Sequence, residues 1–562
     1  MDDKELANRE YARWLSSGML DSILRDELLN ITNDEAAIFD RFWCDLVFGT
    51  GGLRGIIGAG TNRMNEYTVR RATRGLADYV LENGGKSVCI AYDTRNKSRE
   101  FAEAAAEVLC GFGIVVFLFT GTRPTPMLSF AVREKRAFAG IVITASHNPR
   151  EYNGYKVYNA DGGQITDEAA RQISECIKKH DVLGQVECMT LSEYRKRGML
   201  FDLDEIDGEY YKKVMDLVIR QNIVEQSASN LSIVYSPLHG SGNVPVRHML
   251  EKLGFVNLFI VQEQESPDGD FPTVLFPNPE EPSVFELAKK YAEDYEADIV
   301  LATDPDCDRI GVLASNGQGG YSMLSGNQVG CLLCDYILGA KKEIGGLDGN
   351  PAVIKTIVTS ELARVICEHH GVSLFDTLTG FKYIGEKIDE WERNSKHSFI
   401  FGFEESYGYL AGGFVRDKDA VIAAVLICEM ALYFKHKGMT LCDALADLFS
   451  RYGYSGERLV TIALDGRDGM EKMSAIMERF RLAPDFIFKG IAISRSEDYL
   501  EGLNGLPKSN TLKYMFSDGS WFAVRPSGTE PKIKFYIGAT GESSAKVEEK
   551  LESFEAIARQ FI

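Results

Sequence analysis

Short apolar runs alternate with longer amphipathic segments along most of the chain. Residues 87–92 (SVCIAY) predict a strand, FAEAAAEVLCGFG predicts a helix that a glycine ends, and IVVFLF predicts a second strand. The alternation starts again at SIVYSPLHG and a third time at PAVIKTIVTS. Buried strands that alternate with amphipathic helices are typical of βα units built on a parallel sheet. The pattern therefore predicts three successive, similar α/β domains.

The pattern changes at both ends of the chain. Residues 4–47 predict a helical lead-in, and the segments beyond residue 450 predict a smaller α+β domain with antiparallel strands. We place domain 1 at residues 1–224, domain 2 at 225–325, domain 3 at 326–450 and domain 4 at 451–562. Each α/β domain has one polar loop directly after a strand. Open parallel sheets bind ligands at the carboxyl ends of their strands, so these loops are the candidates for a site.

Composition and charge limit the classes of function and the partners expected for the chain. The 562 residues are 45% hydrophobic and 26% charged, as in an ordinary globular protein, and the formal net charge is −20 at pH 7. This charge repels nucleic acid and anionic lipid, so neither is expected as a partner. The sequence shows neither a membrane helix nor a secretory signal. Eleven scattered cysteines favour reduced thiols and a cytoplasmic location.

Three aspartates follow the predicted strand DIVLAT, at positions 304, 306 and 308. In an extended segment alternate side chains point to one face, so the three carboxylates are expected to converge on one ion. Hard oxygen ligands suit Mg²⁺, which keeps open positions for phosphate oxygens. An EF-hand is disfavoured because the loop has no glycine at its sixth position and strand character resumes at Ile310. A solvated acidic turn is the alternative interpretation.

A serine follows the predicted strand AGIVIT in the segment TASHNP. Ser146 would act as a nucleophile if a base or an electrophilic metal lay beside it, and otherwise it is a turn or helix-capping residue. Serine hydrolase chemistry is disfavoured because the G-x-S-x-G motif is absent.

The strand HSFIFG leads into FEESYG. There Glu404 and Ser406 are predicted on one side of the strand end, with Glu405 opposite. A carboxylate and a hydroxyl in this position suit two neighbouring sugar hydroxyls. A cap at the start of the next helix is the alternative interpretation.

The segment VRPSGTEPKIK combines an arginine with small hydroxyl residues and glycine. Such a turn exposes amide donors, and Arg525 adds a planar fork for phosphate, so the segment predicts an anion site. It is not a nucleotide P-loop, because G-x-x-x-x-G-K-[ST] does not occur in the chain.

Taken together and in this order, the four segments resemble the α-D-phosphohexomutase family. Its members carry a phosphoserine loop, a magnesium loop, a sugar-binding loop and a phosphate-binding loop on four successive domains. The likeness extends over essentially the whole chain past residue 45, and TASHNP and DPDCDR are its most specific segments. Further similar segments are FGTGGLRG, YDTRNKS, RPTPM, YSPLHGSG, PDGDFPTVLFPNPEEP and TLTGFKYIGEK. They are most similar to the phosphoglucomutase-2-like branch, which includes bacterial α-phosphoglucomutases and phosphopentomutases.

The resemblance implies a central cleft between the four domains and an intramolecular phosphotransferase that interconverts glucose 1-phosphate and glucose 6-phosphate. Ser146 would carry the phosphoryl group and, with the three aspartates, hold Mg²⁺. Glucose 1,6-bisphosphate would be both intermediate and activator. The other residues implied are Arg54, Lys156, Arg309, Lys382 and His147 for catalysis, and Thr50, Glu404, Ser406, Arg525, Ser527, Gly528 and Thr529 for substrate binding. Lys156 and Lys382 are alternatives for general acid/base work, and His147 is expected mainly to organise its loop.

The sugar and some aspects of the reaction stay open at this point. Gly52, Phe403 and Tyr407 depart from residues common in relatives, and the departures leave sugar preference undecided. The alternatives are a phosphopentomutase or phosphomannomutase and, less favoured, a bisphosphate synthase, a phosphatase or a silent sugar-phosphate sensor. Monomer and homodimer are both compatible with the sequence.

Overall fold

The computed structural model describes residues 3–184, 187–347, 349–464, 469–527 and 532–561. Four separate sheets follow one another along the chain. Among the described residues, no helix combines the length and the apolar character needed to cross a bilayer.

The first unit contains the helical lead-in and a six-stranded sheet of order β1-β5-β4-β2-β3-β6. Its helices are α1 (Asp3–Ser16), α2 (Ser22–Asn30), α3 (Glu35–Phe42), α4 (Glu66–Glu82), α5 (Ser98–Gly111), α6 (Thr125–Glu134), α7 (Asp167–Lys178), α8 (Leu191–Lys196), α9 (Asp207–Met215) and α10 (Gln221–Ser227). Its strands are β1 (Gly52–Ile56), β2 (Ser87–Tyr92), β3 (Val115–Leu118), β4 (Ala139–Ile143), β5 (Tyr152–Asn159) and β6 (Leu200–Asp202).

The second unit has a five-stranded sheet of order β11-β10-β9-β7-β8. Its elements are β7 (Ile233–Ser236), α11 (Asn243–Lys252), β8 (Leu258–Ile260), α12 (Gln262–Glu265), α13 (Glu286–Asp294), β9 (Ile299–Thr303), β10 (Ile310–Ser315) and β11 (Tyr321–Leu324).

The third unit has a four-stranded sheet of order β13-β12-β14-β15. Its elements are α14 (Gly326–Glu343), β12 (Pro351–Thr356), α15 (Leu362–His370), β13 (Ser373–Thr377), α16 (Phe381–Asn394), β14 (Ser398–Glu404), β15 (Gly408–Ala411), α17 (Ala420–His436) and α18 (Leu441–Tyr452).

The fourth unit has an antiparallel sheet of order β16-β20-β19-β18-β17. Its elements are β16 (Tyr454–Ala463), α19 (Gly469–Leu482), α20 (Pro484–Phe488), β17 (Ile493–Asp498), β18 (Leu512–Phe516), β19 (Trp521–Pro526), β20 (Lys532–Gly541) and α21 (Ser544–Arg559). The fold class predicted from the sequence, three α/β units followed by an α+β unit, is confirmed.

Local sequence explains where several helices begin. The side chains of Asn65, Ser325 and Thr440 each accept from an amide three residues on, and the side chain at that position bonds back to the cap amide. These capping boxes satisfy amides that have no partner within the helix. The starts of α4, α14 and α18 therefore follow from local chemistry.

The first three sheets share an arrangement that the apolar pattern did not reveal. In each, the strand that leads into the polar loop pairs with an antiparallel strand that returns from it: β4 with β5, β9 with β10 and β14 with β15. The other strands next to β4, β9 and β14 run parallel to them. The sheets are therefore mixed rather than purely parallel, and each polar loop is the tip of a returning strand pair.

The core joins the first three units and leaves the fourth more separate. One apolar cluster runs through the first three, with α17 buried along most of its length. The fourth unit has its own core, and a small cluster attaches it to the third: Ile357, Val358 and Leu378 against Tyr499, Trp521, Ala523 and Tyr536. A cavity of about 1100 Å³ adjoins this contact, between α15 and the fourth sheet. The buried Lys513 ammonium adds polar contacts here, to the Ile357 carbonyl at 2.6 Å and Glu361 Oε1 at 2.7 Å, and a small interface of this kind favours movement of one domain relative to the others.

Candidate active site

Polar loops from the first three sheets meet at the carboxyl ends of their strands. Ser146 follows β4, Asp304 follows β9 and Glu404 ends β14. The Ser146 hydroxyl donates to Asp304 Oδ2 at 2.8 Å, which joins the first and second units. The Ile310 amide donates to the Tyr407 carbonyl at 3.2 Å, which joins the second and third. The structure therefore brings the predicted serine, aspartates and glutamate into one buried region.

A buried arginine holds the serine loop in a strained conformation. Ser146 has a φ of 52°, in the left-handed region that is costly for a residue with a Cβ atom. Its amide donates to Thr144 Oγ1 at 2.8 Å. The Arg95 guanidinium donates to the carbonyl oxygens of Ser146 at 2.5 Å and Pro149 at 2.8 Å. Arg95 has no role predicted from the sequence, because nothing in its own segment shows which loop it contacts.

The three aspartates lie on a tight turn. Cys307 has a φ of 51°, and its amide donates to the Asp304 carbonyl at 2.9 Å. Asp304 Oδ1 accepts from the amides of Asp308 at 3.1 Å and Arg309 at 3.0 Å. One oxygen from each carboxylate lies within 4.8 Å of the others, and Asp306 is the third. The carboxylates converge as predicted, but the extended geometry expected for them is wrong.

Burial makes this acidic cluster unfavourable on its own. Asp304 and Asp306 are fully buried, and Asp308 is 2% exposed. Burial, and then repulsion from the other two carboxylates, raises the pKa of Asp304 well above its ordinary value. The Oδ1 atoms of Asp306 and Asp308 are buried without a hydrogen-bond partner in the described part of the chain. A divalent cation would offset the repulsion and engage these oxygens, so the donor set fits Mg²⁺.

Two lysines flank the acidic cluster. Lys156, on β5, lies 2.9 Å from Asp306 Oδ2 and 3.8 Å from Asp308 Oδ2. Lys418 lies 3.1 Å from Asp308 Oδ2 and 3.8 Å from Glu404 Oε1. Burial alone would lower the pKa of Lys418, but attraction to the carboxylates, first that of Asp308, outweighs it, so the pKa is raised and the ammonium stays charged. The sequence predicts a role for Lys156 but none for Lys418, because the charge-rich segment RDKD around Lys418 is typical of a solvated loop.

Two predicted arginines lie near the serine and acidic loops. Arg309 is half-buried and forms an ion pair with Glu280, in the loop before α13. Arg54, on the edge strand β1, is exposed and donates to Asn148 Oδ1 in the serine loop at 3.2 Å. Thr50 is exposed just before β1. Both arginines are thus placed to attract an anion to the serine loop.

The histidine next to the serine is held in its neutral form. His147 Nδ1 lies 3.2 Å from Ser146 Oγ. Burial, and then the nearby positive charges of Arg309 and Arg54, lowers the pKa of His147 well below its ordinary value. A neutral imidazole in this position can hydrogen-bond to the serine hydroxyl without adding charge.

The predicted sugar-binding residues lie at a turn between two antiparallel strands. Glu404 ends β14, and Ser406 is half-buried in the turn to β15, where Tyr407 has a φ of 61°. Burial raises the pKa of Glu404 to about 7. Glu405 accepts from Thr356 Oγ1 at 3.1 Å and is thereby held against β12. The alternative interpretation, a helix cap, is wrong, because the element that follows is β15.

The predicted phosphate loop lies at the end of β19. Arg525 is directly opposite Lys534 of β20, so the two cationic side chains share one face of the sheet. Burial, and then repulsion from Arg525, lowers the pKa of Lys534. The Ser527 amide donates to the carbonyl of the first residue of β20 at 2.7 Å. Gly528 and Thr529 lie outside the described residues. Two adjacent cations favour an anionic ligand.

The two predicted lysines, Lys382 and Lys156, contact different parts of the structure. It lies in the first turn of α16, and its Nζ donates to Asp167 Oδ1, on α7, at 2.6 Å. This contact bridges the first and third units. Lys156 instead contacts the acidic cluster directly, through Asp306 and Asp308.

The fold and this site define a class of phosphoryl-transferring enzymes. Profiles of the phosphoglucomutase/phosphomannomutase family match the chain in order, with domain I at residues 45–183, domain II at 209–317, domain III at 325–452 and the C-terminal domain at 474–556. The chain therefore belongs to the phosphoglucomutase/phosphomannomutase family.

Individual relatives allow a more specific comparison than the family profiles do. The chain is 35% identical over 527 residues to a phosphoglucomutase of Staphylococcus haemolyticus, which covers 91% of this chain and 94% of the relative. It is 36% identical over 546 residues to a phosphoglucomutase of Staphylococcus epidermidis, with 94% and 97% covered. The solved open form of parafusin, a phosphoglucomutase from Paramecium, superimposes with a TM-score of 0.71 at 19% identity over 91% of this chain and 95% of that one. At 19% identity this last likeness concerns the fold alone.

Proposed function

We propose that the protein interconverts glucose 1-phosphate and glucose 6-phosphate, with Ser146 carrying the phosphoryl group between turnovers. The observation that carries the proposal is the position of the Ser146 hydroxyl, on a strained loop and 2.8 Å from a carboxylate of the buried acidic cluster. Lysines on both sides of that cluster suit a site for phosphoryl transfer, which depends on positioning and on stabilising charge. The relatives named phosphoglucomutase support glucose as the sugar.

Two phosphoryl transfers make up the proposed reaction. The phosphate on Ser146 passes to the free hydroxyl of a glucose monophosphate and gives glucose 1,6-bisphosphate, which reorients and returns its other phosphate to Ser146. Each transfer forms one O–P bond and breaks another. One proton leaves the attacking hydroxyl and one is gained by the departing oxygen, with Lys156 as the proposed acid and base. Lys418, Arg309 and Arg54 stabilise the negative charge of the phosphoryl group.

We propose that Asp304, Asp306 and Asp308, together with an oxygen on Ser146, hold Mg²⁺. The Oδ1 atoms of Asp306 and Asp308, which are buried without a hydrogen bond to any described residue, support the assignment. When bound, Mg²⁺ supplies Lewis-acid chemistry at the phosphoryl oxygens. Asp304 accepts from the Ser146 hydroxyl and so directs it at the acidic cluster. Lys156 and Lys418 neutralise the remaining negative charge of the cluster.

We propose that the substrate is bound between the fourth unit and the loops of the first and third units. Arg525 and Ser527, with Gly528 and Thr529, bind the phosphate that is not reacting. Glu404, Ser406 and Thr50 bind sugar hydroxyls, and they must accept the sugar in both orientations. The small apolar contact that attaches the fourth unit supports closure of that unit over the substrate.

We also propose the domain boundaries, the cellular location and the oligomeric state of the enzyme. We propose domain boundaries near residues 224, 325 and 450; residue 325 lies between β11 and α14, whereas residue 224 lies within α10 and residue 450 within α18. The free cysteines support a reducing, cytoplasmic environment. A monomer or homodimer acting on a small sugar phosphate is expected.

A coupled assay tests the proposed function. Glucose, mannose and pentose 1-phosphates are compared as substrates, each with and without a trace of its bisphosphate, in the presence of Mg²⁺. Glucose 1-phosphate should give the highest kcat/KM, and the bisphosphate should shorten any lag. A higher kcat/KM for a pentose or mannose phosphate would reassign the sugar. Free phosphate released as fast as isomer is formed would indicate a phosphatase, and net accumulation of bisphosphate would indicate a synthase.

Arg525→Ala should raise KM by about tenfold and lower kcat less, because it removes a bidentate phosphate contact made before and during transfer. Arg525→Lys, which keeps the charge and loses the fork, should fall between the variant and the wild type. Arg481→Ala, which removes an arginine paired with Asp498 on the same unit, is the matched control and should leave KM unchanged. Steady-state kinetics with glucose 1-phosphate measures the effect, and an unchanged KM in Arg525→Ala would contradict the assignment.

A further inference from the structure

We propose that Tyr158 and Tyr210, both from the first unit, position Lys418 of the third unit beside the acidic cluster. The inference rests on the proposed function, since it concerns the placement of a residue in that site. Both tyrosine side chains are fully buried. Each donates its hydroxyl to a carboxylate that neighbours Lys418 in the chain.

Lys418 lies in residues 416–419, the last four residues of the connection between β15 and α17, which are called the lysine strap below. The other strap residues are at most 5% exposed: Arg416 is 1%, Asp417 is 5% and Asp419 is 0% exposed. The side chain of Lys418 leaves the strap towards Asp308, at 3.1 Å. A lysine side chain loses rotamer entropy when it is held in place, so the position of the Lys418 ammonium needs support from its surroundings.

Tyr158 supports the strap on the side that precedes Lys418. Its hydroxyl, on β5, donates to Asp417 Oδ2 at 2.7 Å. The other oxygen of Asp417 accepts from the Lys418 amide at 2.8 Å and lies 3.4 Å from the Lys418 ammonium. Burial, and then the negative charge of Asp417, raises the pKa of Tyr158 well above its ordinary value, so the hydroxyl remains a donor. A chain of contacts thus runs from Tyr158 through Asp417 to Lys418.

Tyr210 supports the strap on the side that follows Lys418. Its hydroxyl, on α9, donates to the two oxygens of Asp419 at 2.7 and 3.0 Å. Asp419 Oδ1 also accepts from the amides of Val421 and Ile422 at 2.9 Å, which begins α17. Since α17 is buried in the core shared by the first three units, this end of the strap is held firmly.

The first unit therefore sets the position of a cation that the third unit supplies. The Ser129 hydroxyl, on α6, adds a further contact by accepting from the Arg416 amide at 2.9 Å. The same unit carries Ser146, so the tyrosines fix the distance between the phosphoryl-carrying serine and the Lys418 ammonium. Misplacement of a group by about 1 Å can cost about 100-fold in rate.

Tyr158→Phe tests the inference, because it removes one hydroxyl and leaves the ring. In the Mg²⁺-loaded full chain, kcat for glucose 1-phosphate should fall by about 10- to 100-fold while KM changes by less than about threefold. Tyr155→Phe is the matched control: Tyr155 is on the same strand, is equally buried and bonds to Thr73 Oγ1 at 3.1 Å. Tyr155→Phe also removes a buried hydrogen bond, but one that does not lead to Lys418, so this control should keep its kcat within about twofold.

A double-mutant cycle with Lys418→Met separates positioning from general loss of structure. With Lys418 absent, adding Tyr158→Phe should lower the residual kcat by less than about twofold. The inference is overturned if Tyr158→Phe alone keeps kcat within twofold, if its effect is as large without Lys418, or if Tyr155→Phe loses as much. Should Tyr158→Phe not fold, Asp417→Asn and Tyr210→Phe take its place in the same cycle. A wild type that does not interconvert the substrates would overturn the proposed function, whereas an inactive Lys418→Met beside a fully active Tyr158→Phe overturns this inference alone.

Discussion

Ser146→Ala is expected to lower the rate of interconversion by at least about 10³-fold and to abolish phosphate attachment to the enzyme. The reason is geometric as well as chemical. Arg95 holds Ser146 at a left-handed φ, and the Ser146 hydroxyl points at Asp304. In the alanine variant, a water molecule or another hydroxyl does not occupy the same position. Intact mass spectrometry after incubation with glucose 1,6-bisphosphate, together with the coupled assay, measures both effects.

Ser543→Ala provides the control for this measurement. Ser543 caps α21 in the fourth unit, so its loss affects a helix start and leaves the serine loop untouched. It should retain the added phosphate and full activity. An active Ser146→Ala enzyme, or phosphate found on another residue during turnover, would refute the phosphoserine mechanism.

Asp304→Asn is expected to lower activity by about 10³-fold and to weaken Mg²⁺ binding by at least about 100-fold, because it removes one of three charges from the metal site. The metal-free variant should nevertheless be as stable as the metal-free wild type or more so. Burial and repulsion from Asp306 and Asp308 raise the pKa of Asp304, so ionising this carboxyl costs folding free energy as the pH rises. The stability difference should therefore grow as the pH rises from the ordinary pKa of an aspartate to the raised pKa of Asp304 in the folded protein, and stay constant above it, since only the wild-type side chain ionises.

Thermal unfolding with and without Mg²⁺, over a range of pH, distinguishes these effects. Wild-type protein should gain stability with Mg²⁺ by mass action, about 2.7 kcal/mol at 100 times the dissociation constant, and the variant should gain little. Asp298→Asn is the matched control: Asp298 precedes β9, at the opposite end from Asp304, and pairs with Lys435 at 2.6 Å. It should keep its Mg²⁺ response. A full Mg²⁺ response in Asp304→Asn would contradict the metal assignment, and so would full activity of the wild type after chelation.

Much of the fold and of the site follows from local sequence. The apolar runs that form β2, β4, β9 and β14 are recognisable because a strand buried on both faces has few polar positions. Ser146, Asp304 and Glu404 follow or end such strands, so their placement at one edge of each sheet was predictable. The returning strands were less evident. β5 pairs antiparallel to β4, and β10 pairs antiparallel to β9, through backbone contacts. The side chains of a single strand give little information on which strand it pairs with and in which direction.

The sequence by itself determined the composition of the acidic and serine loops, and hence the class of chemistry, because those side chains lie close together in the chain and need only a turn to converge. Only the tertiary structure decided which cations face that chemistry. Lys418, Arg95 and Tyr158 act through partners far away in the chain, such as Asp417, which lies 259 positions from Tyr158. A charged or hydroxyl side chain in a sequence does not reveal its distant partner. Packing of the first three units against one another therefore selects which of the many lysines and arginines lie beside the acidic cluster.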